Sequence, residues 1–231
     1  MCSSDLPPRG GAPFFKEKHI LKNLFYGKNM NWGVCLAIAA VSGVLAGLFH
    51  QVGYMSGTSF TDYFVAWEWW VFFGLLLACR NSNFAVGIFQ TILFFLTGLF
   101  TMLLVQWPAI GKGGFLSYVK GHIILFLIGT IAGSILAYLA TLKGPVFAVI
   151  LALFETVTLC CLVNYIFSLA AARPWHIASA IFCGLSFVTS TLQIEHDRAY
   201  RAVALTIPIV LAIVYALVRY HFGFVMLTPR F

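Results

Sequence analysis

Residues 145–171 read PVFAVILALFETVTLCCLVNYIFSLAA, an apolar run in which Glu155 is the sole charged side chain. About 20 apolar residues suffice for a helix to cross a membrane, so this run is long enough to span. Pro145 suits the first position of a helix, where the missing N–H has no helical partner to lose. The stretch therefore predicts a transmembrane helix that carries one acid near its middle.

The rest of the chain has the same character. Its 231 residues are 61% hydrophobic and only 9% charged, whereas soluble domains carry about 25% charged residues. We predict an all-α, polytopic transmembrane helix bundle in the lipid bilayer. The formal charge of +7 does not indicate nucleic acid, because five of the fourteen Lys and Arg residues precede the first span, where basic residues face anionic cytoplasmic lipid.

Seven spans are predicted, or six if one short segment is only interfacial. They cover about Trp32–His50, Tyr63–Cys79, Phe84–Val105, His122–Leu142, Pro145–Ala171, His176–Leu192 and Ala202–Tyr220. A signal peptide is the alternative for the first, but its apolar run is long and lacks a small-x-small cleavage site. Residues 109–121 are too polar to span and predict a surface loop. Asn81 or Ser82 suits the N-cap of the third span.

The spans divide the chain into three regions. Residues 1–31 form a basic N-terminal cytoplasmic segment, 32–220 the transmembrane helical domain, and 221–231 a short C-terminal tail. Phe14–Tyr26 has the pattern of a short amphipathic helix. The first six residues, MCSSDL, look like a translated sequencing-adapter scar and are excluded from the fold prediction.

The distribution of basic residues predicts the orientation. With the N-terminus inside, nine Lys and Arg residues fall on that side and five on the other. Because basic loops stay in the cytoplasm, we expect a multi-pass protein of the cell membrane with a cytoplasmic N-terminus and an external C-terminus.

Glu155 is the first candidate for a functional group. It lies ten residues beyond Pro145, about 15 Å along a helix and near the middle of a hydrocarbon core about 30 Å thick. An ionised side chain there costs about 3 kcal/mol on insertion scales. One hypothesis is a neutral Glu that is hydrogen-bonded to a neighbouring helix and helped by Thr158, one turn away. The other is a proton or cation site in the bundle.

A second acid, Glu68, lies in the stretch FVAWEWWVFFG, five residues into the second span. It is flanked by Trp67, Trp69 and Trp70, and tryptophan concentrates at the membrane–water boundary. We therefore expect the carboxylate of Glu68 to reach the interface and the three tryptophans to be interfacial.

Polar side chains recur at helical spacing in three spans, so that each set falls on one helix face. The sets are Gln90, Thr97 and Thr101 in the third span, Thr130, Ser134, Tyr138 and Thr141 in the fourth, and His176, Ser179, Cys183, Ser186 and Ser190 in the sixth. One interpretation is a shared polar cavity around Glu155. Its candidate binding residues are Glu155, Gln90, Thr97, Thr101, Thr158 and Ser186.

Close helix packing is the competing interpretation of these sets. Small and hydroxylated residues let helices approach in lipid, and G-x-x-x-G spacing is typical of such contacts. The chain has this spacing at Gly43 and Gly47 and again at Gly129 and Gly133. The sequence therefore leaves packing and a polar route as alternatives.

Enzyme motifs are absent from the sequence. Its six cysteines show no C-x-x-C and no His/Cys ligand spacing, so they are predicted to be small buried hydrophobic residues. The stretch CGLSF around Ser186 departs from the G-x-S-G of intramembrane serine proteases. There is no H-E-x-x-H and no Gly-rich phosphate loop. We expect no catalytic residues, no cofactor and no bound metal.

Residues 67–100, WEWWVFFGLLLACRNSNFAVGIFQTILFFLTGLF, combine a Trp-rich span, a short polar turn and a Phe-rich span. This pattern resembles that of a group of small bacterial multi-pass membrane proteins with no assigned activity. The resemblance implies a bacterial cytoplasmic membrane and carries over no substrate or cofactor.

Two functions follow from these observations. The first is a small transporter or permease-like subunit, which requires polar faces on the third, fourth and sixth spans that meet one another and Glu155. The second is a non-catalytic partner or regulatory subunit of another membrane protein or of a homo-oligomer, which requires a dry bundle with a groove open to lipid. The sequence favours the first and does not identify a substrate.

Overall fold

The structure, a computed structural model, describes residues 30–52, 58–63, 66–81, 83–170, 176–194 and 197–223. The predicted amphipathic helix over Phe14–Tyr26 lies outside these residues. All regular secondary structure within them is helical, which confirms the predicted all-α bundle. The helices are α1 (Trp32–Gln51), α2 (Ser59–Asp62), α3 (Trp67–Arg80), α4 (Phe84–Ala140), α5 (Pro145–Ala170), α6 (Ile177–Ile194) and α7 (Arg198–Phe222).

Five helical segments are long and apolar enough to cross a membrane. They are α1, residues Phe84–Ala109 of α4, α5, α6 and α7, and they match five of the seven predicted spans. The predicted second span corresponds to α3, which has 14 residues, and the fourth to the second part of α4, where Phe126–Ala140 is apolar. A 14-residue helix covers about 21 Å, less than a hydrocarbon core of about 30 Å.

The 57 residues of α4 form two antiparallel parts that meet at Gly111. Gly111 has φ 66° and ψ 172°, a conformation that glycine tolerates because it lacks a Cβ. The rings of Phe84 and Tyr138 lie 4.9 Å apart, whereas a straight helix would separate them by about 80 Å. The backbone is helical on both sides of Gly111, so the predicted loop over 109–121 is wrong. The chain reverses at the single residue Gly111, where the polar composition predicted a loop of thirteen residues.

The turn before α4 also differs from the prediction. Asn83 is the N-cap, and its Oδ1 accepts hydrogen bonds from the N–H groups of Ala85 and Val86. Asn81 instead turns inward, where its Nδ2 donates to the carbonyl oxygen of Leu77 and to Gln90. Buried side-chain amides almost always form hydrogen bonds. Asn81 finds its partner in Gln90, nine residues away, and the spacing of N-cap residues does not predict such a contact.

The helices alternate in direction and so place one set of helix ends together. This set contains the short helix α2, the ends of α1 and α5, and the starts of α3 and α6. The contacts that join them are Asp62 with His176 and Glu68 with Tyr165. We call this the α2 end of the bundle. The predicted orientation would place it on the external side.

Candidate functional site

Glu155 is fully buried between α5 and α6. The hydroxyl of Ser190 on α6 donates a hydrogen bond to its Oε1. Its Oε2 has no hydrogen-bond partner among the described residues. Thr158, the predicted helper, instead bonds to the carbonyl oxygen of Phe154 at 3.5 Å, as intrahelical threonines often do. The neighbour that supports Glu155 thus lies on the adjacent helix.

The polar stripe of α6 is buried as one face. Ser179, Cys183, Ser186 and Ser190 are each 3% exposed or less. Cys183 packs against Cys161 and Tyr165 of α5, and Ser190 bonds to Glu155. The interface between α5 and α6 is therefore lined with hydroxyl, thiol and carboxyl groups over most of its length.

The stripe on the first part of α4 faces other helices. Oε1 of Gln90 accepts from Asn81 at 2.7 Å, and its Nε2 donates to the carbonyl oxygen of Met30 at 3.0 Å. Gln90 thereby ties the start of α1 to α3 and α4, at the end of the bundle opposite to α2. Because both the oxygen and the nitrogen of its amide form hydrogen bonds within the bundle, we assign Gln90 a structural role.

Thr97 and Thr101 belong to the crossing of α1 and α4. The hydroxyl of Thr101 donates to the carbonyl oxygens of Thr97 and Gly98 on its own helix. A Cβ at Gly43 of α1 would overlap both the Gly98 carbonyl oxygen and the Thr101 hydroxyl. These residues therefore allow the two helices to touch and do not face Glu155.

The stripe on the second part of α4 also has its own neighbours. The hydroxyls of Thr130 and Ser134 bond to carbonyl oxygens one turn earlier, at 2.8 and 2.6 Å. Both line a groove of about 180 Å³ between α3, α4 and α5. The three predicted stripes thus meet different helices, and the prediction that they share one cavity around Glu155 is wrong. Helical spacing defines a face but not the helix that covers it.

Glu68 is the more connected of the two acids. It is fully buried, and the hydroxyl of Tyr165 on α5 donates to its Oε1 at 2.6 Å. Cys161 lies against the same carboxylate. Its Oε2 has no hydrogen-bond partner among the described residues. The prediction that this carboxylate reaches the interface is wrong, because α5 encloses it.

The three tryptophans around Glu68 have different environments. Trp67 is 37% exposed, which suits an interfacial position. Trp69 stacks on Phe182 of α6, with ring centroids 3.8 Å apart, and Trp70 stacks on Phe95 of α4 at 4.7 Å. Two of the three rings therefore pack inward, Trp69 against α6 and Trp70 against α4.

Asp62, which sequence patterns did not single out, anchors a second set of polar groups. Its Oδ2 lies 2.6 Å from Nδ1 of His176 and accepts a hydrogen bond from the Ser179 hydroxyl at 2.7 Å. The Ser179 N–H donates to the hydroxyl of Ser59 at 3.1 Å. Helix α2 thus contacts the first turn of α6 and satisfies one of its free N–H groups, that of Ser179.

His176 lies one residue before α6, outside the membrane-spanning segment. Its hydrogen bond to Asp62 raises the pKa of the imidazole above its ordinary value, because the carboxylate favours the charged form. Its side chain is 18% exposed, so the ring remains within reach of solvent. The ring, held by Asp62 and within reach of solvent, is therefore suited to exchange protons with the surroundings.

Tyr165 connects Glu68 with the pair formed by Asp62 and His176. Its ring stacks on the ring of His176, with centroids 5.3 Å apart, and its hydroxyl bonds to Glu68. We call Asp62, Glu68, Tyr165, His176 and Ser179 the end cluster. Its members come from α2, α3, α5, α6 and the residue before α6, and two of its contacts link residues 97 and 114 positions apart. No local pattern could have revealed these pairings.

The geometry of the end cluster bears on its chemistry. A Ser-His-Asp triad uses both imidazole nitrogens, one toward the carboxylate and one toward the serine. Here Ser179 and His176 both bond to the same oxygen of Asp62, so His176 does not activate this serine. Among the described residues no three His, Cys, Asp or Glu side chains are grouped to hold a metal ion. The cluster is suited to binding and passing protons.

No family model matches this chain, and no curated protein or solved structure matches it either.

Proposed function

We propose that this membrane protein carries protons along α5, where it faces α3 and α6, by a narrower route than the cavity of three polar stripes that the sequence predicted and the structure excludes. The observation that supports the proposal best is the position of Tyr165, which touches the partly exposed His176 with its ring and the buried Glu68 with its hydroxyl. Protonatable groups thereby form a contiguous set from the α2 end into the bundle. Intramembrane acids that face a bundle interior commonly mark such relays.

The proposed path starts at His176. Asp62 holds Nδ1 of the ring, which leaves Nε2 to take up a proton. Tyr165 and Glu68 follow, and the hydroxyls of Ser186 and Ser190 lie deeper on α6. Because protons pass along hydrogen bonds, single water molecules would have to link His176 to the Tyr165 hydroxyl and Glu68 to these serines. Glu155 is ten residues from Tyr165 on α5, about 15 Å further along the helix. It therefore lies in the middle of the span. Release toward the other side would pass the buried side-chain oxygens of Thr191 and Gln193 on α6, which have no hydrogen-bond partner among the described residues.

A proton fits these groups better than a metal cation. Calcium and magnesium bind six or more oxygen ligands, whereas each buried Glu receives a hydrogen bond from one hydroxyl. A hydroxyl can accept one proton while it donates another, so tyrosine and serine serve a relay without bulk water. The proposed substrate is accordingly H⁺ itself, and the predicted orientation makes uptake external.

Proton flux into liposomes tests the proposal. The full chain is reconstituted with a pH-sensitive dye inside, and a potassium diffusion potential, negative inside, drives proton entry. We expect faster acidification than in protein-free liposomes, and a decrease of about tenfold or more in Glu155→Gln and Glu68→Gln. Ser168→Ala is the matched control, because this α5 hydroxyl bonds to the Asn164 carbonyl away from the path. Equal flux in wild type and both Gln variants would refute the proposal.

A second candidate function rests on the groove between α3, α4 and α5. Gly129 and Gly133 line it, and a Cβ added at either glycine would meet no atom within 4 Å among the described residues. The wall of the groove is largely apolar. Small residues on an open face suit the approach of another helix. We propose as the alternative that the chain is a non-catalytic partner whose groove receives a helix of a second copy.

The mass of the detergent-solubilised protein tests this alternative. Gly129→Leu fills the groove and should convert a dimer into a monomer, while Gly184→Leu, on α6 where a side chain also meets nothing, should leave the mass unchanged. A wild-type monomer would exclude the second copy as the occupant. Proton flux and dimer mass are separate measurements, so each candidate can fail alone.

A further inference from the structure

Arg219 is a cation held in place by uncharged partners. It lies in the last turn of α7, where its guanidinium donates to Oδ1 of Asn164 on α5 and stands 4.8 Å over the ring of Phe167. The hydroxyl of Tyr215 donates to the same Asn164 oxygen at 2.7 Å. No carboxylate forms a salt bridge with Arg219 among the described residues. The charge is therefore oriented but not neutralised.

The position of Arg219 matches the depth of lipid headgroups. It is the twenty-second residue of α7, so about 32 Å of helix precede it, close to the thickness of the hydrocarbon core. The flanking side chains point outward: Tyr220 is 73% exposed and Phe222 80%. Exposed aromatic residues at a helix end are typical of the membrane–water boundary.

We propose that Arg219 binds the phosphate group of a membrane phospholipid. A guanidinium presents five N–H donors in a planar fork that matches phosphate oxygens. One donor bonds to Asn164, and the cation–π contact with Phe167 holds the guanidinium against α5. Exposed apolar side chains on the adjoining face of α7, Val218 at 36% and Leu211 at 39%, would lie along the acyl chains of the same lipid. This inference does not depend on proton transport.

Native mass spectrometry of the detergent-solubilised full chain tests the proposal with phosphatidylglycerol as the probe. Wild type should retain the lipid, and Arg219→Gln should bind it about tenfold more weakly, the effect of losing one charge-assisted contact. Arg219→Lys should fall between them, since it keeps the charge and loses the fork. Arg198→Gln is the control, because this exposed arginine lies at the other end of the same helix.

Failure of the wild type to retain phosphatidylglycerol would contradict the proposal, and so would three further outcomes. Equal losses in Arg219→Gln and Arg198→Gln would indicate general charge attraction without a site. Equal binding of a phosphate-free galactolipid would show that the phosphate is not recognised, and displacement by millimolar inorganic phosphate would identify a free-anion site. Unfolding of Arg219→Gln in lipid-free detergent, compared with wild type, separates lost binding from lost structure.

Discussion

The α1–α4 and α5–α6 interfaces use similar small and hydroxylated residues for different purposes. At the first, Gly43 brings α1 onto the backbone of Gly98, and Thr101 bonds to its own helix. At the second, Ser190 reaches across to Glu155 on the neighbouring helix. Between these two contacts, the hydroxyl that bonds to the neighbouring helix is the one that faces an acid, whereas the Thr101 hydroxyl bonds to carbonyl oxygens of its own helix.

The largest expected effect is at the packed interface. In Gly43→Ala the new methyl group would overlap the carbonyl oxygen of Gly98, a backbone atom that cannot move alone. We expect the free energy of unfolding to fall by about 3 kcal/mol or more, at the upper end of overpacking effects. Unfolding in sodium dodecyl sulfate titrations measures the loss. An unchanged transition would show that α1 and α4 do not cross at Gly43.

A smaller loss is expected at the polar interface. Ser190→Ala removes the hydroxyl that donates to Glu155 and leaves a buried carboxylate oxygen without its partner, which costs about 1–3 kcal/mol. Thr101→Val is the matched change at the packed interface and should cost less, because its hydroxyl bonds only within its own helix. The same titration compares both variants. Equal losses would remove the distinction between the two interfaces.

The contribution of His176 should depend on pH. Asp62 raises the pKa of the folded imidazole above the unfolded value of about 6.5, so the folded state binds the proton more tightly. The stabilisation relative to His176→Gln is therefore complete below about pH 6.5 and declines as pH rises through the folded pKa. Unfolding of both proteins at several values between about pH 5 and 9 measures this difference. A difference that grows with pH would contradict the pairing with Asp62.

The smallest effect is expected in the open groove. Gly129→Ala places a methyl group where nothing lies within 4 Å, so the free energy of unfolding should change by no more than about 0.5 kcal/mol. Gly129 and Gly43 share the same G-x-x-x-G spacing. A large loss at Gly129 would mean that the groove is filled by a partner under the conditions of the experiment.

The sequence predicts where most helices lie in the chain, but it does not predict which helices and side chains contact one another. Hydropathy and Pro145 locate α5 within a residue, because a span must be long and apolar whatever surrounds it. The end cluster depends instead on Asp62 meeting His176 across 114 residues. Asp62 belongs to a polar loop in the sequence, and no spacing rule links it to α6. The tryptophans beside Glu68 predict a carboxylate at the membrane–water interface. In the structure α5 covers this carboxylate, and the sequence around Glu68 does not show which helix will lie there.

The 14 residues of α3 have a consequence for the order of membrane insertion. A helix of about 21 Å with Glu68 near its start gains little from lipid alone, since an acid offsets several leucines on insertion scales. Most of its side chains are covered by α4, α5 and α6, which the ribosome makes later. During biogenesis α3 should therefore settle in the membrane only after its neighbours emerge, and Glu68 should meet Tyr165 last.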